Sequence, residues 1–470
     1  MKESPSIATR LVPGGFARAL EVAEARGEEQ HVERGFRPGQ RAAAEFHDCE
    51  QAGEHDQVHA DDGRDPLRHP VSSYTRAAPR RDAMNILIAL TYYRPHYSGL
   101  TVYAERLARA LARRGHEVTV LTSRYLPELP AAEVRDGVRI LRLDVALRVS
   151  KGVLMPGMLS RAWPLIRRAD VVNLHVPQFD AAWLALVARL ARKPAVMTYH
   201  CDLRLPGGAM HALANLVSNA ANRLAAGLVP AIVTNTRDYA EHSPFLRRHL
   251  GKVHEILPPV EMAEPTAADV AALRARAGLV EGDRVIGMVA RLATEKGVEH
   301  LAAALPAVIE RVPRARVLFA GEHERVFGEE ACARRVIPLV SALGDRWRFL
   351  GNLGAGELAA LYRACDVTVL PSVNSTESFG MVQVESLLAG VPVVSTDLPG
   401  VRQPVRLSGR GRIVPPADPA ALASALGDLL SGGGRADGDT RQLAARVAPD
   451  AVAEAYEMVF RSCQGPGAHA

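Results

Sequence analysis

Between Pro371 and Pro392 the chain runs Glu377-Ser378-Phe379-Gly380-Met381-Val382-Gln383-Val384-Glu385, two carboxylates eight positions apart. The apolar run Val367 to Leu370 predicts a buried strand, Pro371 to Phe379 a loop, and Met381 to Ala389 a helix closed by Gly390. Glu377 then precedes the helix and Glu385 rides on it. The first amides of a helix have no intrahelical acceptor and carry the positive end of its dipole, so the backbone at Phe379, Gly380 and Met381 suits an anionic or hydroxyl-rich ligand. Gly380 would let that ligand come close. Carboxylates accept hydrogen bonds in pairs, which fits the vicinal hydroxyls of a ribose or hexose. The spacing suggests a nucleotide-sugar site. The plainer alternative is a strand-loop-helix junction, with Glu377 at the helix entry and Glu385 on a solvated face.

Three further segments hold polar groups beyond apolar strands. In Val285-Ile286-Gly287-Met288-Val289-Ala290-Arg291-Leu292-Ala293-Thr294-Glu295-Lys296-Gly297, two cations follow a strand and precede a helix. Two fixed cations would stabilise a diphosphate leaving group as it gains negative charge. Met84 to Leu90 predicts a first strand, Tyr92-Tyr93-Arg94-Pro95-His96-Tyr97-Ser98-Gly99-Leu100 a loop, and Thr101 to Arg114 an amphipathic helix, with Thr101 either its N-cap or a ligand contact. Ala195 to Tyr199 predicts a strand followed by His200, Cys201 and Asp202 at its carboxyl end, where ligands collect in open α/β sheets.

Taken together these segments resemble the family 4 retaining glycosyltransferases, whose E-x7-E signature matches Glu377 and Glu385; the likeness extends from about Met84 to the C-terminus. Arg291 and Lys296 stand where that family has the G-R-L and E-K-G residues that hold the donor diphosphate, with Ala290 where glycine is frequent. The loop at Pro95 resembles P-x-x-G-G, with Ser98 in place of the first glycine and Gly99 keeping the second. His200 matches a histidine, often within H-D, that sits at the reaction centre; here Cys201 intervenes, leaving Asp202 a supporting residue. Ala231 to Thr236 resembles V-S-x with Asn235 replacing serine, and Leu257-Pro258-Pro259-Val260-Glu261 resembles P-N-G-V-D without its glycine.

The elements that must position these residues alternate. In the first half strands are predicted at Asn85 to Leu90, Glu117 to Thr122, Val138 to Leu143, Val171 to His175, Ala195 to Tyr199 and Ala231 to Thr234. In the second half they fall at Arg284 to Ala290, Arg316 to Ala320, Trp347 to Leu350, Val367 to Leu370, Val391 to Ser395 and Arg412 to Val414. Helices fill the intervals, notably 181–192, 213–226, 298–310, 330–343 and 422–430. A chain of 470 residues is long for one core, and the pattern predicts an α/β fold with two Rossmann-like domains facing a cleft, the GT-B arrangement that the resemblance also implies. The predicted division is an acceptor domain over 84–257, a donor domain over 258–440 with a hinge near Leu257 to Met262, and a helix within 441–470 crossing back to the first domain. Residues 1–83 hold many charged, Gly and Pro residues and no sustained apolar period; they read as a tail or a misassigned start, with a short helix at Ala17 to Ala25.

Net charge is +5, and residues 1–83 hold 12 Lys/Arg against 15 Asp/Glu, so the body is more basic than the whole. A basic body suits polyphosphates and anionic membrane surfaces. Without a nucleic-acid motif or clustered aromatics, nucleic acid is not expected as a partner. Cys49, Cys201, Cys332, Cys365 and Cys463 lack C-x-x-C spacing, which fits a reducing cytoplasm, and no window supplies the ~18–20 apolar residues of a membrane span. The stretch Lys151 to Leu159 with Arg161, Trp163, Arg167 and Arg168 mixes apolar and basic residues, and either docks peripherally on a membrane bearing a lipid-linked sugar or is an ordinary loop and core helix. The D-x-D at Asp437-Gly438-Asp439 lies in a glycine-rich linker and is not read as a metal site.

The expected reaction is transfer of a hexosyl unit, with retention, from a nucleoside diphosphate sugar to the hydroxyl of a sugar or lipid-linked sugar, with no metal and no cofactor. The donor residues would be Gly99, Arg291, Lys296, Glu377, Phe379, Gly380, Met381 and Glu385. Of these, Arg291, Lys296 and Glu377 would act in catalysis together with His200. The alternatives are a GT-B nucleotide-sugar epimerase, which needs no acceptor, and a non-catalytic GT-B subunit.

Overall fold

The computed structural model describes residues 82–149, 152–203, 209–324, 326, 328–432 and 438–464. The expected tail up to residue 81, with Ala17 to Ala25 and Cys49, lies outside the described residues, as do Lys151 and Asp437. All elements below belong to one unit, Ser73–Ala470. The first half runs β1 (Asn85–Ala89), α1 (Gly99–Arg113), β2 (Glu117–Arg124), β3 (Ala132–Arg135), β4 (Val138–Asp144), β5 (Leu147–Val149), β6 (Gly152–Leu154), α2 (Gly157–Arg168), β7 (Val171–Val176), α3 (Ala181–Leu190), β8 (Ala195–Tyr199), α4 (Ala209–Leu228), β9 (Ala231–Thr234), α5 (Arg237–His242) and β10 (Val253–Glu255). The second runs α6 (Ala267–Arg276), β11 (Arg284–Val289), α7 (Val298–Arg311), β12 (Ala315–Ala320), α8 (Glu330–Ser341), β13 (Trp347–Gly351), α9 (Ala355–Ala364), β14 (Val367–Leu370), α10 (Met381–Leu388), β15 (Val393–Thr396), α11 (Gln403–Ser408), β16 (Gly411–Val414) and α12 (Pro419–Leu430). It is followed by α13 (Arg441–Val447) and α14 (Pro449–Cys463).

Two sheets result. The second has the order β13-β12-β11-β14-β15-β16 and is parallel throughout, so its strand order reverses between β11 and β14. The first has the order β10-β9-β8-β7-β1-β2-β4-β3, parallel except at the β3 edge, and reverses between β1 and β7. Both are doubly wound Rossmann-like layers, and ligands bind at the carboxyl ends of the strands flanking such a reversal. This is the GT-B architecture expected from the sequence.

Alternation along β1 sorts the first core into two layers. Leu87 and Ala89 pack against α2, α3 and α4, while Ile86 and Ile88 pack against α1 and, from the far end of the chain, α14. Helix α14 seats Val452, Tyr456 and Phe460 in that layer, each such burial being worth about 1.5–3 kcal/mol. Glu457 on the same helix pairs with Arg114 and lies 3.0 Å from His116. The last described element is thus part of the core that begins at Met84.

Some expectations need correction. Thr101 is not the N-cap of α1: Ser98 is, its hydroxyl accepting from the Thr101 amide at 3.2 Å, while Thr101 is fully buried. Strands β3 and β10 and the β5–β6 hairpin were not expected; the first two are short, mostly exposed edge strands without an apolar run.

Candidate functional site

The exits of β11 and β14 meet at the reversal of the second sheet. Gly297 is left-handed (φ 64°), and a Cβ on it would fall 2.1 Å from the Pro371 carbonyl oxygen. The Val373 amide donates to the Glu295 carbonyl at 3.0 Å. The Thr294–Lys296 turn and the loop after β14 are therefore pinned backbone to backbone, and only glycine allows the approach. That contact brings the Lys296 ammonium onto the Glu377 carboxylate in a mostly buried ion pair. Arg291, a third exposed, lies 3.6 Å from Glu295. A Cβ on Gly321 would meet the Ala290 carbonyl oxygen at 2.1 Å, so the end of β12 presses on the backbone just before Arg291.

Helix α10 separates the two glutamates. Glu385 is buried, accepting from Arg106 of α1 at 3.0 Å on one carboxylate oxygen and from the Tyr362 hydroxyl at 2.9 Å on the other. The solvated-face alternative for Glu385 therefore fails. Two of its roughly four acceptor positions are used, and two lone pairs remain. Arg106 also donates to the carbonyls of Pro259 and Glu261, tying the first layer to both the connecting segment and the second sheet.

Gly380 is left-handed (φ 80°), and a Cβ on it would strike Leu370 and Gln383 at 2.3 and 2.7 Å. The fold itself requires this glycine, so room for a ligand is not the reason for it. The Phe379 side chain is core, whereas Met381 reaches the first domain, its Cε 3.8 Å from where Gly99 would carry a Cβ.

From the first domain, the loop after β1 presents His96, stacked on Tyr92 at 4.7 Å. Burial, then the charge of Arg291 across the gap, lowers the His96 imidazole to about 4. Burial raises the Cys201 thiol to about 12, helped by Asp202 and then by Glu377 and Glu295 of the second domain. The His200–Asp202 turn thus lies within the field of Glu377 and Glu295. Tyr239 fixes that junction: its hydroxyl accepts from the Asp202 amide at 2.6 Å and donates to the Ser375 carbonyl at 2.9 Å. Asn235 donates to the Ser378 hydroxyl at 3.2 Å, and Asp238 accepts from Arg402 and the Gly400 amide. Asp202 accepts from Tyr199 and Ser243.

His200 ends a buried polar chain. Among the described residues the Tyr103 hydroxyl has one partner, the Tyr456 hydroxyl at 2.7 Å. If it accepted there its own proton would be stranded, at about 1–3 kcal/mol, so it donates. Tyr456 then donates to Thr198 (3.0 Å) and Thr198 to the side-chain Oδ1 of Asn173 (2.8 Å). The Asn173 amide donates to His175 Nε2 (3.1 Å), which leaves His175 Nδ1–H to donate to His200 Nε2 (2.9 Å). Burial lowers the His200 imidazole to about 3, so it is neutral and holds its proton at Nδ1. His200 can give a hydrogen bond at Nδ1 but is a poor base.

The structure therefore gathers Gly99, Arg291, Lys296, Glu377, Gly380 and Met381 around one junction, buries Glu385 of α10 against Arg106, and turns His200 Nε2 inward to His175. Sequence reading missed Arg106, Tyr362, Tyr239, His96 and the chain behind His200. For the last a signal existed: Asn173 and His175, two apart on a buried strand, must share a face and need partners. Among the described residues no group of three metal-ligating side chains occurs, and Asp439 of the D-x-D is paired with Arg441.

Comparison with known proteins bears on the family and the fold. Residues 283–432 match the family described as glycosyl transferases group 1, and residues 98–256 match the glycosyl transferase 4-like domain. The D-inositol 3-phosphate glycosyltransferase of Xylanimonas cellulosilytica is 32% identical over 376 residues, covering 72% of this chain and 84% of that protein. The 2-deoxystreptamine glucosyltransferase of Streptomyces kanamyceticus is 30% identical over 353 residues, covering 69% and 88%. In fold the chain is similar to the Anabaena protein HepE in complex with UDP and glucose (TM-score 0.63, 19% identity, 82% of this chain and 100% of that one).

Proposed function

The chain belongs to the group 1, family 4 glycosyltransferases of GT-B fold, and from that premise we propose that it moves a hexosyl unit, with retention, from a nucleoside diphosphate sugar to an acceptor hydroxyl. The observation that carries this reading is the Lys296–Glu377 ion pair at the reversal of the second sheet, with Arg291 beside it. Lys296 and Arg291 take the diphosphate, whose charge grows as the glycosidic bond breaks; two fixed cations there supply the stabilisation without a metal. Glu377, freed from Lys296 by the incoming phosphate, accepts sugar hydroxyls, and the amides at Phe379 to Met381 add donors. Glu385, held by Arg106 and Tyr362, offers its remaining lone pairs to the ribose. From the first domain His200 gives a hydrogen bond from Nδ1 to the sugar, and the Gly99 loop closes over it. The acceptor enters against residues 84–257, the donor against 258–440. The departing phosphate oxygen takes the acceptor proton on the same face, a role that His200, neutral and poorly basic, does not fill.

The acceptor is a sugar or lipid-linked sugar in polysaccharide, glycolipid or cell-envelope glycan synthesis. Two relatives are named for inositol phosphate and 2-deoxystreptamine, so polyhydroxylated rings belong in the acceptor panel. The test is a thermal-shift screen of UDP-, GDP-, ADP- and dTDP-sugars followed by mass detection of glycosylated acceptor. A saturating donor should stabilise by a few kcal/mol, and transfer should follow. Stabilisation with release of an epimerised donor and no transfer would overturn the reading.

A further inference from the structure

The outer surface of the first domain carries a second feature, remote from the Lys296 junction in its chemistry. Helices α2, α3 and α4 cover one face of the sheet, and their outward positions should be polar if that face met only water. They are not. On α3 the exposed positions are Trp183, Leu186, Arg189 and Leu190, a single helical stripe. On α4 the stripe Leu216, Val217, Ala220, Arg223 and Leu224 has one polar residue, and Leu216 and Leu224 are 66% and 64% exposed. On α2, Trp163 is exposed beneath the Arg167 guanidinium, 6.0 Å from its ring centre. Helix α3 packs against both α2 and α4, so the three stripes adjoin.

Charge on the helices themselves has one sign. Arg161, Arg167, Arg168, Arg189 and Arg223 are exposed, and none of the three helices contains an Asp or Glu. Asp170, just past α2, is held by the Asn85 amide at 2.8 Å. Arg189 also borders a recess of about 750 Å³ that Arg192, Lys193 and Lys252 line together with Asp170. Exposed leucines and tryptophans among helix arginines, with acidic groups only at the helix ends (Asp170 and Asp180), fit an anionic lipid surface, in which the apolar stripes enter the acyl boundary and the arginines meet headgroup phosphates. A second copy of the chain fits poorly, because a two-fold contact would set arginine against arginine.

We propose that α2, α3 and α4 form a peripheral docking surface for an anionic membrane. The surface is wider than the Lys151–Arg168 stretch and does not depend on the catalytic reading. It would present a lipid-borne acceptor to the domain proposed to receive it.

The test is flotation of the full chain with phosphatidylcholine vesicles, with and without phosphatidylglycerol, alongside sedimentation of the protein alone. The parent should float only with the anionic vesicles, its tryptophan emission moving to shorter wavelength and its binding weakening with salt. Arg189→Glu/Arg223→Glu and Leu186→Glu/Leu224→Glu should each lower partitioning about tenfold or more, with unchanged melting temperature and unchanged stabilisation by nucleotide. No flotation of the parent, equal flotation of the charge-reversed protein, or a parent dimer that the variants dissolve without vesicle binding would each overturn the proposal.

Discussion

Lys296→Ala separates what the Lys296–Glu377 pair does for the fold from what it does for the reaction. Both side chains are mostly buried, 19% and 14% exposed, so removing the lysine leaves a carboxylate with little water and no cation. That should cost about 1–3 kcal/mol of stability. If Lys296 also meets the charge developing on the diphosphate, turnover should fall about 10²- to 10³-fold, or about 2.7–4 kcal/mol of transition-state stabilisation. Adding Glu377→Gln removes the stranded charge, and the double variant should regain most of the lost stability while turnover stays low. Urea denaturation reads the first quantity and initial-rate kinetics at saturating donor the second. A Lys296→Ala enzyme within threefold of the parent in turnover, or a double variant that recovers turnover along with stability, would refute the diphosphate role.

Gly297→Ala should uncouple the lysine turn from the loop after β14, since its Cβ cannot sit 2.1 Å from the Pro371 oxygen and its φ of 64° strains any side chain. It should lose more than about 1 kcal/mol of stability together with most of the thermal shift given by nucleotide; a normal shift would show the pinning to be unimportant. Asn173→Asp should reverse the polar chain, because a carboxylate accepts and so forces His175 to donate at Nε2 and His200 at Nε2. Long-range nitrogen–proton NMR on ¹⁵N-histidine protein, with His200→Gln to assign the signal, should show the His200 proton moving from Nδ1 to Nε2, and kcat falling more than donor KM rises. An unmoved tautomer would contradict the assigned direction. Burial holds His200 near a pKa of about 3 when folded, below its usual 6.5, so protons favour the unfolded chain as pH drops through 6.5. Stability should be complete above that value and about 1.4 kcal/mol lower one pH unit below it for this group alone, with His175 acting in the same direction. Denaturant midpoints that do not change between about pH 7.5 and 5.5 would contradict it.

What was legible in the sequence was what local pattern encodes. Buried parallel strands read as apolar runs, and Val367 to Leu370 and Ala231 to Thr234 fall where expected to the residue. The Arg291–Lys296 turn and the Glu377 loop were readable because each lies within a few residues of a strand end. Ser98 and Thr101 are both good caps; the loop path after Pro95, set by packing, decides for Ser98. Arg106 could not be found, since its partner Glu385 is 279 residues away and the position looks like any polar site on an amphipathic helix. Tyr456 is similar: its role depends on α14 returning to the first core, which brings it to Tyr103 and Thr198 across more than two hundred residues. Glu385 falls on the expected helix, but its partners Arg106 and Tyr362 were not foreseen, for periodicity shows which face a residue takes and not which distant side chain meets it.

Titration calorimetry of the best-stabilising nucleoside diphosphate and its parent nucleoside, on the wild type and on Arg291→Ala/Lys296→Ala, tests the donor pocket most directly. The double variant should bind the diphosphate at least about tenfold more weakly, the loss of about 1.4 kcal/mol or more expected when charge-assisted hydrogen bonds disappear, and bind the nucleoside as the wild type does. Equal diphosphate affinity in the two proteins would contradict the account.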